Sequence, residues 1–174
     1  MYQVELLVSL KIPDVTALTA ANTLRRRMGY EGVLDRLERA DYFLFEVEAA
    51  TPDEACAVVR DIAEHTNLFV NPNKHVFEVR PRQERAGLAR SDGVYLVNCL
   101  VRSLQYDPGP GLVASLHRLG HEQVRSISTG TLWTLHLRVE GEARARGITQ
   151  SIAITTSRSQ GLLMNPHYQT CEVY

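Results

Sequence analysis

Lysine is almost missing from this chain: of nineteen basic residues, only Lys11 and Lys74 are lysines. An excess of either charge is missing too. Nineteen basic against twenty acidic side chains leave a net charge of -1, which gives no electrostatic grip on nucleic acid or an anionic membrane. Cysteine is scarce. Cys56, Cys99 and Cys171 are odd in number, far apart and form no CxxC pair, so they read as small buried hydrophobes in a reducing compartment. No apolar run approaches the ~20 residues of a membrane span. The opening MYQVELLVSLK has no basic region before its apolar run and carries Glu5 inside it, so a signal peptide is not expected. A cytoplasmic location is the expectation. The one basic run, Arg25-Arg26-Arg27, reads as the solvated face of a helix.

What is present is an ordinary globular composition, 44% hydrophobic and 22% charged, and a repeat. NPNKHVFEVR begins at Asn71 and NPHYQTCEVY at Asn165, 94 positions later. Each follows an apolar triplet, Leu68-Phe69-Val70 or Leu162-Leu163-Met164, so the shared phrase is apolar triplet, then NPxxxxxEV. A chain of 174 residues is long enough for two small domains, and the repeat favours that division.

In the first half, VELLVSL (4–10) alternates as a strand, with Leu7 on the face opposite Val4, Leu6, Val8 and Leu10. Asp14 can cap a helix whose stripe is Leu18, Ala21, Leu24 and Met28, ending at Gly29. Residues 32–39 and 41–48 read as two strands joined by Ala40-Asp41 in a hairpin, with Leu44 on the outer face of the second. Thr51-Pro52-Asp53-Glu54 has the cap, proline and acidic residue of a helix start. Its stripe is Ala55, Val58/Val59, Ile62 and Thr66, with Asn71-Pro72 as the stop before a last strand at 75–80. The order is β-α-β-β-α-β.

Residues 81–93, PRQERAGLARSDG, read as a linker or exposed extension. The pattern then restarts with a strand at 95–101, a turn at 107–111, and a helical stripe of Leu112, Leu116 and Leu119 ending at Gly120. A strand carries Trp133, Leu135, Leu137 and Val139, with Trp133 facing the core. Residues 143–160 read equally as helix or strand, and the repeat places a helix there. The fold class is α+β: two tandem ferredoxin-like units, 1–80 and 94–174, paired within the chain as a pseudo-dimer.

Little catalytic chemistry is legible. His121-Glu122 opens like HExxH, but position 125 is Arg. Asp107-Pro108-Gly109-Pro110-Gly111 lacks the Lys-Ser/Thr of a phosphate loop and reads as a turn. The pair His117 and His121 is interrupted by Gly120 as a helical metal site. No catalytic, cofactor or metal residue is assigned.

The strand ending in Leu-Lys resembles the PurS family, as does the helix ending in Met28-Gly29-Tyr30 or Leu119-Gly120-His121 before Val33 or Val124. So does the LxxNP ending ahead of an EV strand, Leu68 to Val79 and Leu162 to Val173. The resemblance covers roughly 2–80 and 95–174. PurS is the small subunit of phosphoribosylformylglycinamidine synthase. The family's Asp-Pro-Gln-Gly is kept in part as Asp107-Pro108-Gly109, a candidate partner-contact loop, whereas the first copy has only Pro13-Asp14. Its Gly-Lys link is reduced to Gly130-Thr131 and Ala40-Asp41.

The resemblance implies a non-catalytic bridge in purine biosynthesis. It would join a synthetase (PurL-type) to a glutaminase (PurQ-type) for ammonia transfer, and ATP, Mg and glutamine would be used by those partners. Apolar Leu7 and Leu44 on the outer sheet face predict an assembly surface, and a homodimer giving four PurS-like units. A rival reading is a tandem ACT-like module that binds an amino acid between its units, with Gly109 or Gly111 as the glycine after the first strand. An enzyme using His117 or His136 as acid or base is a third.

Overall fold

The computed structural model describes residues 1–82, 87–157 and 160–174. The fold is α+β. Among the described residues, four helices accompany an antiparallel sheet of seven strands. None of the helices is long and apolar enough to cross a membrane.

Strand β1 (Tyr2–Leu10) leads to α1 (Val15–Met28). Asp14 caps α1, its Oδ1 accepting from the amides of Thr16 (2.9 Å) and Ala17 (3.2 Å), as the sequence predicts. Gly29 ends it at φ +79°, a conformation that a Cβ disfavours. The buried stripe is Ala17, Ala21 and Leu24, with Met28 packed against the same core; of the expected stripe Leu18 alone is exposed, and Ala17 is buried in its place. Helix α2 (Pro52–His65) starts as predicted. The Glu54 amide donates to Thr51 Oγ1 (3.1 Å), and Glu54 Oε2 accepts from the Ala50 amide (2.8 Å).

Asn-Pro does not stop this helix. Thr66 is its last cap, and Asn67, at φ +53°, turns the chain before Asn71 is reached. Asn71 instead opens the turn into β3 (His75–Pro81).

The expected hairpin at Ala40-Asp41 is absent. Leu34–Val47 is one strand, β2, and Val124–Arg138 is likewise one strand, β6. A two-residue hairpin needs left-handed backbone at its centre, and Ala40, Asp41, Gly130 and Thr131 all lack positive φ. The predicted linker is also revised. Ala89–Ser91 is strand β4, joined to β5 (Val94–Ser103) by Asp92 (φ +50°) and Gly93 (φ +77°). That is the backbone of a primed two-residue turn. Residues 83–86 of the predicted linker lie outside the described residues.

The second half continues with α3 (Gly109–Arg118), β6, α4 (Glu142–Ala153) and β7 (Gln169–Val173). Leu119 is exposed at the end of α3, outside the buried stripe predicted for it. The doubtful stretch 143–160 is helix as far as Ala153, and its residues 158–159 lie outside the described residues.

The compact units do not coincide with the expected halves 1–80 and 94–174. Unit one comprises Met1–Ile12, Ala40–Glu84 and Tyr106–Gly130; its strands run β3-β1-β2-β6, and it contains α2 and α3. Its core joins Val4 and Leu6 of β1, Phe45 of β2, Val59 and Ile62 of α2, Leu116 of α3 and Ile127 of β6. Unit two comprises Pro13–Arg39, Arg85–Gln105 and Thr131–Tyr174, and contains α1 and α4. In it β5 pairs β6 on one side and both β4 and β7 on the other. Its core joins Leu24 of α1, Leu34 and Leu37 of β2, Cys99 of β5, Trp133 and Leu135 of β6, and Ile152 of α4. Each core therefore takes one helix and part of a strand from the other half of the sequence.

Candidate functional site

On β1 of unit one, Val4, Leu6 and Val8 enter the core, which leaves Glu5 and Leu7 on the opposite face. Arg80 stands directly across from Glu5 on β3, and Leu44 across from it on β2. Glu5 is buried. Its Oε1 accepts from the Tyr42 hydroxyl (2.9 Å) and its Oε2 from Arg80 Nε (2.8 Å). Tyr42 is fully buried, and Arg80 also lies 3.5 Å from Glu78. A carboxylate taken out of water needs such partners. Both of its oxygens are therefore engaged.

Farther along this face, Glu46 accepts from Ser126 Oγ (2.8 Å) and Gln3 Nε2 (3.1 Å), and these bonds hold its carboxyl below the usual range. Exposed Glu48 pairs with Arg125, which lowers its carboxyl as well.

Unit two carries different residues at the matching positions. Leu100 faces Glu172 across β5 and β7 as Leu7 faces Glu78 across β1 and β3. In that register Asn98 takes the place of Glu5, and it accepts from Thr134 Oγ1 (2.9 Å). His136 lies 3.1 Å from Glu38 Oε2. Burial pushes the Cys99 thiol up to about 12, with neighbouring Cys171 adding to the shift, so the Cys99 thiol is poorly nucleophilic. In unit two also, burial pushes the Asp14 carboxyl up; hydrogen bonds from Arg39, Ala17 and Thr16 outweigh it and leave the group below its ordinary value.

The two Asn-Pro phrases build the same turn. Asn71 Oδ1 accepts from the Asn73 amide and Asn165 Oδ1 from the His167 amide, both at 3.0 Å. The amide of Lys11 donates to Lys74 O, and that of Leu104 to Tyr168 O, both at 2.8 Å. These turns therefore set Lys11 beside Lys74 in unit one and Leu104 beside Tyr168 in unit two. All four side chains are exposed.

Of the residues singled out in the sequence, Leu44 is 6% exposed in the single chain and Leu7 is half-buried. Leu44 thus needs no second chain to cover it. Asp107 Oδ1 accepts from the Gly109 amide (2.9 Å), and Gly109 is buried where a Cβ would overlap the carbonyl of Ile127. This trio shapes the start of α3. His117 Nε2 lies 2.8 Å from Val124 O. Among the described residues no three His, Cys, Asp or Glu side chains gather as metal ligands. Arg25 of the basic run donates to the carbonyls of Leu34 and Asp35 and so ties the end of α1 to β2.

The Glu5–Tyr42–Arg80 cluster was missed from the sequence. Its one signal was an acidic residue inside an apolar strand; the cross-strand register that supplies its partners is not written locally. No protein-family model matches the chain, and no curated protein matches it in sequence.

Proposed function

We propose that the chain is a non-catalytic bridging subunit of phosphoribosylformylglycinamidine synthase, built as a tandem duplication of a PurS-like, ferredoxin-like unit. The observation that carries the reading is the repeated register. Leu7 lies opposite Glu78 and Leu100 opposite Glu172, so each NPxxxxxEV phrase ends on a strand antiparallel to the one that opens its half, which supports the reading. Gly29 and Gly120, both at positive φ, follow the helices that precede β2 and β6. The strand order β3-β1-β2-β6 in unit one is compatible with a ferredoxin-like sheet whose second strand comes from the other repeat. On this reading the duplication joins in one chain what two separate subunits would otherwise form.

The chemistry explains why such a bridge is useful. Ammonia released by a glutaminase is lost once it reaches bulk water and takes a proton. A scaffold that holds the glutaminase and the ATP-using synthetase together shortens its path, and needs no nucleophile of its own. The partners are those two subunits, and a homodimer of chains would bring four units together.

The test is reconstitution. The chain, mixed with the synthetase and glutaminase subunits, should co-elute with both and raise glutamine-dependent synthesis while leaving ammonia-dependent synthesis by the synthetase unchanged. Absence of a complex and of any glutamine-dependent gain overturns the proposal.

A further inference from the structure

The two equivalent turns differ in one respect that bears on recognition. Unit one places the only two lysines of the chain, 63 residues apart in sequence, next to each other through the Lys11–Lys74 backbone hydrogen bond. Among the described residues neither lysine forms an ion pair. Lys11 Nζ donates to the carbonyl of Pro72 (2.5 Å), and Lys74 is exposed. Two apolar side chains stand out beside them: Ile12 follows Lys11 and is 69% exposed, and Val76, across from Ser9 on β3, is 50% exposed. Unit two has Leu104, Gln105, Tyr168 and Thr170 at the matching positions and no charge there.

We propose that the turn face of unit one, formed by Lys11, Ile12, Lys74 and Val76, docks an acidic segment of a protein partner. The proposal rests on the bridging reading, which identifies that partner as one of the two synthase subunits. The argument is charge complementarity. Arginines are paired to carboxylates or carbonyls, as at Arg39–Asp14, Arg80–Glu5 and Arg25. The lysines, by contrast, carry their ammonium groups on flexible apolar stems with no carboxylate partner among the described residues, Lys11 donating only to the Pro72 carbonyl, and they are flanked by apolar contact area. An acidic amphipathic segment satisfies both, because its carboxylates meet the ammonium groups while its apolar residues cover Ile12 and Val76. The asymmetry also has a consequence. A chain with two identical turn faces could not distinguish its partners, whereas one cationic and one neutral turn face can.

The experiment measures affinity of the full-length chain for each synthase subunit by calorimetry across a salt series. Wild-type binding to one subunit should weaken as salt rises. Lys11→Glu with Lys74→Glu should weaken it by about 30-fold or more at low salt and reverse the salt dependence, since like charges then face each other and salt screens their repulsion. Lys11→Arg with Lys74→Arg should retain affinity within about threefold, because the charge is kept. Leu104→Ser with Tyr168→Ser should leave the salt dependence as in wild type. Undiminished binding by the folded charge-reversal variant, checked by an unchanged melting temperature, overturns this inference and leaves the bridging reading standing. Wild-type chain that binds neither subunit overturns the bridging reading and this inference with it.

Discussion

Arg80 and Glu5 face each other across β3 and β1, with Arg80 Nε 2.8 Å from Glu5 Oε2. Glu5 is buried, and Arg80 is its cationic partner. Removing the guanidinium leaves a carboxylate in a site that water reaches poorly. Arg80→Ala should destabilise the chain by about 2–3 kcal/mol, less than a fully buried pair loses because the guanidinium is partly exposed. Tyr42→Phe should cost about 1.5 kcal/mol, the scale of a hydrogen bond to a charged acceptor. Urea unfolding of both single variants and the double variant measures this. A loss below about 0.5 kcal/mol for Arg80→Ala would show that Glu5 is solvated after all.

Thr149 suggests a change in the opposite direction. It is fully buried on α4, and its hydroxyl has no hydrogen-bond partner among the described residues. The matching position of α2, in the repeat frame that aligns Ile62 with Ile152, is Val59, also fully buried. Valine keeps the shape and removes a hydroxyl that was desolvated without a bond in return. Thr149→Val should stabilise by about 1 kcal/mol, and Val59→Thr should destabilise by at least as much. A lower melting temperature for Thr149→Val would mean that the hydroxyl has an ordered partner.

Local features were readable in the sequence because they are set within a few residues. Asp14, Thr51 and Glu54 announce helix starts through their own side chains, and Gly29 announces an end through its missing Cβ. The alternation of Trp133, Leu135 and Leu137 correctly gave a core-facing strand. What was misread depends on distant partners. Leu34 and Leu37 enter one core and Phe45 and Val47 the other. The change of pattern at Arg39-Ala40-Asp41 thus marks the passage of one continuous strand between units, although it looks like a turn. Leu44 was placed on the correct face of its strand, but its burial comes from packing that no local pattern encodes.

Acid should weaken the fold through Glu46. Its carboxyl is held below the ordinary value of 4.5, first by Ser126 and then by Gln3. A carboxyl with a depressed folded-state value contributes stability that is present above the unfolded value. That stability is lost as pH falls through the folded one, because the unfolded chain takes up the proton first. Wild type should therefore lose stability below 4.5, and Glu46→Gln should show a shallower acid limb together with lower stability at neutral pH. Denaturation midpoints across the acid range decide it. Superimposable acid limbs would remove Glu46 as a contributor.

Two glycines in one helix should respond in opposite ways. A Cβ on Gly109 would overlap the carbonyl oxygen of Ile127 and crowd Asp107 Oδ1, while a Cβ on Gly111 meets nothing within 4 Å. Gly111→Ala adds a better helix former and restricts the unfolded chain, so it should stabilise by about 0.5–1 kcal/mol. Gly109→Ala forces α3 away from β6, where Leu116 and Ile127 share a core, and should cost about 2 kcal/mol or more. Asp107→Ala removes only the bond to the Gly109 amide and should cost about 1 kcal/mol. The three melting temperatures should therefore rank Gly111→Ala, wild type, Asp107→Ala, Gly109→Ala from highest to lowest. If partner binding by the folded Asp107→Ala variant drops much more than its stability, the loop contacts a partner directly. If binding stays at the wild-type level, the Asp-Pro-Gly sequence serves the helix start alone.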